Sequence, residues 1–233
     1  MGLSIFLTKG GIRVLLLFAW ACMLASCVEG DDENRPLRSY VNFVNSREDS
    51  NDGVDFMIDG NRLRTGSVEV DSASGYNQIY SGNREISVVP NGGSASDLLT
   101  KNTGELIRDK YYSCFLAGTA SQKNLVLTED NFTAPDSVKH AKVRFVNLSS
   151  AAGKVDVSIR DNKNLFTGQE YLNVSQYTTI DTSRHTIDVY IAGTNTGSLS
   201  SIDFHPRSRK IYTLYLRGAP QNKYKLWLRE NKR

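Results

Sequence analysis

Three histidines, three cysteines and 25 acidic side chains are the groups in this 233-residue sequence from which catalysis or metal binding could be built. His140, His185 and His205 stand singly, none three or four positions from another and none beside a cysteine, so the spacings that hold zinc are missing. No Gly-x-Ser-x-Gly turn is present to raise a nucleophilic serine. Asn91-Gly92-Gly93-Ser94 is glycine-rich, but no lysine-bearing helix start follows it, as a phosphate loop requires. Glu48, Ser50, Asp52, Gly53 and Asp59 fall on ligand and turn positions of an EF-hand frame. Asp55 occupies its normally apolar eighth position, and Asp59 closes a run that alternates as a strand, so the stretch reads as a polar inter-strand loop. A carboxylate pair or a Ser-His-Asp set assembled only by the fold leaves no mark in chain order. The expectation is a protein that is not an enzyme and has no cofactor or metal; a carboxylate-dependent hydrolase is the least favoured reading.

Composition narrows the rest. Lys and Arg number 28, giving a net charge of +3, which argues against a nucleic-acid protein built on a basic face. With 39% hydrophobic and 9% aromatic residues the chain is not of disordered type, and three cysteines are too few for a disulfide scaffold. Lys9 and Arg13 precede an uncharged apolar run of twelve, Val14 through Ala25. Crossing a membrane takes roughly 20 such residues, so residues 1–26 read as a secretory signal.

Leu24-Ala25-Ser26-Cys27 resembles the lipobox of bacterial lipoproteins. That resemblance implies cleavage before Cys27 and lipidation of its thiol, leaving a mature charge close to zero. Four carboxylates in Val28-Glu29-Gly30-Asp31-Asp32-Glu33-Asn34 resemble the acidic export signal of Bacteroidota surface lipoproteins. Residues 27–38 then form a solvated tether, of which residues 28–38 could span about 36 Å when stretched, at ~3.3 Å per residue. The location implied is the outer membrane, on the cell surface, with the periplasmic face as the alternative. Cys114, the one cysteine left unassigned, lies among apolar neighbours and reads as a small core residue.

The remainder is one module written twice. Asn42-Phe43-Val44-Asn45 recurs 102 positions later as Arg144-Phe145-Val146-Asn147. Val54 through Ile58, Tyr76 and Glu85 through Val88 recur at an offset of 101, and Lys110-Tyr111-Tyr112 and Leu116-Ala117-Gly118 at 100. The period is a whole domain, which excludes a solenoid. Residues 39–128 and 139–233 are therefore two domains joined by a polar, proline-broken linker at 129–138. Within each copy the apolar period is two, as in Ile187, Val189 and Ile191, and turn residues recur every eight to twelve positions. The fold class expected is all-β: two tandem antiparallel β-sandwiches of immunoglobulin-like architecture, with roughly seven strands each.

Lys142 to Asn147, Val155 to Ile159, Tyr177 and Tyr212 to Gly218, with weaker counterparts in the first copy, make the chain similar to the bacterial family called domain of unknown function 4397. The similarity covers most of residues 39 to 230 and implies an extracytoplasmic sandwich module, often lipid-anchored, with no agreed activity. The first copy departs from the pattern at Asn42, Tyr112 and Cys114.

Two surface features complete the reading. Asp71-Ser72-Ala73 and Asp136-Ser137-Val138 resemble the Bacteroidota O-glycosylation sequon, making Ser72 and Ser137 candidate modification sites. Alternation turns Tyr190, Tyr215 and Trp227 away from the core, where exposed rings would form a sugar-stacking or protein-docking surface. Leu125 and Leu127, opposite Trp227 in the first copy, are apolar as well, which favours cover of that face by loops or by one domain on the other. The function expected is a lipid-anchored, non-catalytic envelope module for adhesion or for capture of a glycan or protein. Its partners are the membrane, through the lipid, and a glycan or envelope protein, without nucleic acid. The alternative is an envelope scaffold without a ligand of its own.

Overall fold

The computed structural model describes residues 37–48, 51–161 and 164–232. Cys27, the segment expected to be a signal peptide and the acidic stretch lie outside them. From Leu37 onward the chain forms one compact unit. Its first half contains β1 (Arg38–Asn45), β2 (Val54–Ile58), β3 (Asn61–Arg62), β4 (Ala73–Tyr80), β5 (Gly82–Pro90), β6 (Thr100–Leu106), β7 (Tyr111–Gly118) and β8 (Lys123–Glu129). Its second half contains β9 (His140–Asn147), β10 (Val155–Ile159), β11 (Asn164–Gln169), β12 (Thr178–Asp181), β13 (His185–Ile191), β14 (Ser200–Phe204), β15 (Ile211–Arg217) and β16 (Lys225–Glu230).

The two halves repeat strand for strand. Sheets ordered β4-β1-β7-β8 and β3-β2-β5-β6 make the first sandwich; β12-β9-β15-β16 and β11-β10-β13-β14 make the second. Turn conformations repeat too. Asp71 and Leu172, and Asp109 and Arg209, are pairs of equivalent residues in the left-handed region. Gly118 and Gly218, with φ of 107° and 101°, close equivalent hairpins where a Cβ would sit 2.1 and 2.4 Å from the carbonyl oxygens of Gln122 and Lys223. Only glycine fits there.

One expectation needs correction. The sheets are mixed: β1 pairs with β7 in parallel, Tyr40 opposite Tyr111, and β9 pairs with β15 in parallel, Lys142 opposite Ile211. Alternation shows which face a residue takes but is blind to the direction of the neighbouring strand.

Each sandwich has its own core. Val41, Phe43, Phe56, Ile86, Val88 and Leu116 fill the first, and Val143, Phe145, Val157, Ile187, Val189 and Leu216 fill the second at the corresponding positions. Cys114 lies in the first core, fully buried, and burial pushes its thiol up to about 12 because the thiolate has lost its water.

Each sandwich is tied along one side. Thr100 Oγ1 bonds the carbonyl of Lys123 at 3.2 Å, linking β6 to β8, and Leu226 N bonds Ser200 Oγ at 3.0 Å, linking β14 to β16. Along β6 and β8, a Cβ on Gly104 would come within 2.4 Å of Leu127, so the two sheets meet closely. On the opposite side a groove runs between the short β3 and β4.

The two domains pack through the outward faces of the β1- and β9-containing sheets. Val44, Phe115 and Val126 meet Val146, Leu148 and Tyr215 in a third buried apolar cluster. Polar groups pin both ends of this contact. Toward the starts of β1 and β9, the fully buried Arg144 pairs with Asp130 and donates to Thr213 Oγ1 at 3.0 Å, Thr128 Oγ1 at 3.2 Å and the Glu129 carbonyl at 2.9 Å. Asp130 accepts in turn from Tyr76 and Ser113, each at 2.7 Å. Toward the ends of β1 and β15, Arg217 forms a two-pronged pair with Asp71 and donates to the Arg47 carbonyl at 3.1 Å. Corresponding ends therefore lie side by side, and the two sandwiches run with the same polarity. Glu129 and Asp130, expected to begin a polar, proline-broken linker, complete β8 and this buried network; Lys142 Nζ holds the linker at the Thr133 carbonyl at 2.7 Å.

Removing one partner of a buried ion pair strands the other charge, so Arg144→Ala should cost about 3 kcal/mol or more in urea unfolding, and Arg144→Met with Asp130→Leu should recover most of that loss. A single-variant loss below about 1 kcal/mol would show that the pair does not hold the domains. Cys114 should resist iodoacetamide at pH 8 in the native chain and react once urea unfolds it; labelling under native conditions at the rate of a free thiol would contradict its burial.

Candidate functional site

The outward face of the β4-β1-β7 sheet divides into three zones. Strand pairing places Arg38 opposite Tyr80, Tyr40 opposite Gln78 and Tyr111, Asn42 opposite Tyr76 and Ser113, and Val44 opposite Phe115. Cross-strand partners share a face, so these rows stack along the strands. The Val44 row is buried in the domain contact, and the Ser113 row feeds the Asp130 network. The first two rows lie beyond that contact and reach solvent.

Tyr80 is 53% exposed, with the Arg38 guanidinium 3.5 Å above its ring, a cation–π contact on one face. Tyr40 stacks on Tyr111 with centroids 4.5 Å apart and planes within 11°. Tyr76 and Phe132 meet Tyr111 edge-on at 5.1 Å each. All four of these rings are half-buried. Burial and the Asp130 carboxylate raise the Tyr76 hydroxyl far above its ordinary value, and burial pushes Tyr177, beneath Arg144, up to about 12; both stay neutral at any physiological pH, Tyr76 donating to Asp130 and Tyr177 accepting from Asn231 Nδ2 at 3.0 Å.

A concavity lies at each end of this row. Beside Tyr80, on the untied side of the first sandwich, a groove of about 520 Å³ is lined by Arg38, Arg62, Arg64 and Arg84 with Asn77 and Gln78. Asp55 pins Arg62, and Asp59 holds Arg84 at 3.0 Å. Beside Phe132, a cleft of about 590 Å³ is lined by Arg207, Arg209, Lys210 and Lys232 with Glu230, which pairs with Arg207 and lies 3.7 Å from Lys210. Hydroxyls, amides, rings and guanidinium groups of this kind suit hydrogen bonding to a polar, extended ligand. Among the described residues that line them, no nucleophile stands beside a base in either concavity.

The residues anticipated from alternation are dispersed. Tyr215 is fully buried against Phe115, centroids 5.7 Å apart, and is withdrawn as a surface residue. Trp227 packs half-buried against the same domain contact. Tyr190 belongs to the other sheet of its sandwich, half-buried, its hydroxyl 3.4 Å from Asp188. The three therefore form no common patch: each points away from its own core, but alternation does not say which sheet a strand joins or what covers that sheet. Ser72 is half-buried beside the Asp71–Arg217 pair, its carbonyl accepting from Asn45 at 3.1 Å, while Ser137 is half-buried in the linker and accepts from Lys139 N at 3.1 Å. Sequence reasoning missed Arg38, Tyr40, Tyr80 and Tyr111; the only signal available was the alternation of Arg38, Tyr40 and Asn42 along β1.

A family model described as "Domain of unknown function (DUF4397)" matches residues 39–158, the whole first sandwich and the first two strands of the second. No curated protein sequence matches the chain. Among solved structures, the Bacillus anthracis TIE protein is similar at 10% identity and a TM-score of 0.25, with 80% of this chain and 34% of that one covered. This chain thus spans about a third of that protein. The family CBM26 module CBMbc of Eubacterium rectale Amy13K, solved with maltoheptaose, is similar at 12% identity and a TM-score of 0.25, with 84% of this chain and 98% of that one covered.

Proposed function

The chain belongs to the family described as domain of unknown function (DUF4397), and from that premise we propose that it is a non-catalytic, lipid-anchored module of the cell envelope that captures a glycan on the outward face of its first sandwich. The observation that carries this reading is Tyr80, an aromatic ring more than half exposed and backed by Arg38 at the mouth of a polar groove. A large ring left in water on a sheet edge gains free energy when a flat apolar surface covers it, and the apolar face of a sugar ring is such a surface. Gln78 and Asn77 in the same groove supply the amides that bond sugar hydroxyls. A second reading, a rigid spacer between envelope partners, is favoured by the buried Arg144–Asp130 pair and the partly buried Arg217–Asp71 pair that lock the sandwiches side by side. The anchor rests on Cys27 and its preceding small residues, and surface exposure on the acidic stretch that follows.

Tyr80→Ala should weaken glycan binding on an array about tenfold, ~1.4 kcal/mol, with the unfolding midpoint unchanged because the ring lies outside the core. Binding by Tyr80→Ala equal to that of the parent would sink the groove as the capture site. Cys27→Ser should abolish acyl labelling, and external protease should remove the parent protein from intact cells. Protection until the envelope is opened would place it on the periplasmic face.

A further inference from the structure

We propose that the ligand is an acidic polysaccharide, carrying carboxylate or sulfate groups, that runs as one extended chain from the Tyr80 groove over the Tyr40–Tyr111 row into the Phe132 cleft. This deepens the capture reading and rests on it. Charge pairing within each concavity carries the argument. In the groove Asp55 and Asp59 balance Arg62 and Arg84, and Arg38 and Arg64 meet no carboxylate among the described residues. In the cleft Glu230 faces both Arg207 and Lys210, and Arg209 and Lys232 meet none among the described residues. The groove thus keeps two cations in excess and the cleft three, and the four that meet no carboxylate are solvent-exposed apart from the half-buried Arg38.

The two sites are continuous. Arg38, Gln78 and Tyr80 line the groove, Tyr40 pairs with both Gln78 and Tyr111, and Phe132, packed on Tyr111, lines the cleft. At ~4.8 Å between neighbouring strands, β4, β1 and β7 separate the groups by on the order of 10 Å, which a monomeric anion cannot bridge. The Arg144–Asp130 pair fixes the spacing, because Arg209 and Lys232 belong to the second sandwich while Arg38 and Arg64 belong to the first. Two fixed cationic sites joined by one ligand gain affinity through effective concentration. A single-stranded nucleic acid is also a polyanion but needs free ring faces for its bases. Here Tyr40 and Tyr111 each give one face to their mutual stack, and Tyr111 also meets Tyr76 and Phe132 edge-on, so the row offers no open pair of ring faces between which a base could insert.

The test is calorimetric titration of the full chain with a decameric oligogalacturonate, its fully methyl-esterified and hence uncharged counterpart, the dimer, a sulfated decasaccharide and an oligonucleotide of equal charge. Expected are binding of the acidic decamer, at least tenfold weaker binding of both the ester and the dimer, and a loss of about tenfold on Arg64→Glu and on Arg209→Glu separately. Raising salt from ~50 to ~300 mM should weaken it by a similar factor. Binding of the sulfated decamer in place of the carboxylated one supports the proposal equally. An ester that binds as tightly as the acid overturns the proposal and leaves glycan capture standing; no saccharide binding at all overturns both. Tighter binding of the oligonucleotide, or equal affinity for dimer and decamer, also overturns it.

Discussion

A carboxylate and a guanidinium, both removed from water, hold this molecule in its one arrangement. Asp130 and Arg144 are each charged groups whose burial alone would be ruinous, and both are stabilised by saturation: the arginine uses all three of its nitrogens, and the aspartate takes the Tyr76 and Ser113 hydroxyls on its second oxygen. The donors come from β4 and β7 of one sandwich and the acceptors from β8, β15 and the residue between the domains. Shifting either domain would leave at least one of these charges unpaired, so the pair specifies registry between the sandwiches as well as attraction. The apolar contact beside it, Val44 and Phe115 against Tyr215 and Leu148, supplies hydrophobic area but little direction.

The same sheet face does two jobs because its rows change character along the strands. At one end it is apolar and covered by the other domain; in the middle it is polar and feeds the Asp130 network; at the other end it is aromatic and wet. That gradient comes from only a few outward positions: Arg38, Tyr40, Asn42 and Val44 on β1, with Tyr111, Ser113 and Phe115 on β7. A duplicated module leaves each copy with an equivalent outward face. In the second copy the position of Asn42 is held by Arg144, which makes the two faces complementary where identical ones would not have been.

The internal repeat, the all-β class and the inward residues of both cores were legible because they depend on periodicity, and a side-chain period of two survives in the sequence whatever the surroundings. Even the departure at Asn42 was visible, although its meaning was not. The candidate site was barely legible. Tyr80 and Tyr215 look alike in a sequence, each an outward tyrosine on an alternating strand, yet one is more than half exposed and the other has no exposed surface. What separates them is the packing of one sandwich on the other, which involves residues more than 100 positions apart.

Local pattern by itself determined the sheet-built modules, their duplication and the identity of the residues that avoid water, since burying an apolar side chain is favourable against almost any partner. Strand direction within the mixed sheets, the burial of Asp130 in what reads as a linker, and the one tyrosine, Tyr80, that stays exposed beside a half-buried row of rings were decided only by tertiary structure. Each of these depends on which specific donor, acceptor or surface arrives from elsewhere in the chain, and hydrogen bonds and ion pairs, unlike hydrophobic contacts, stabilise only when that partner is in place.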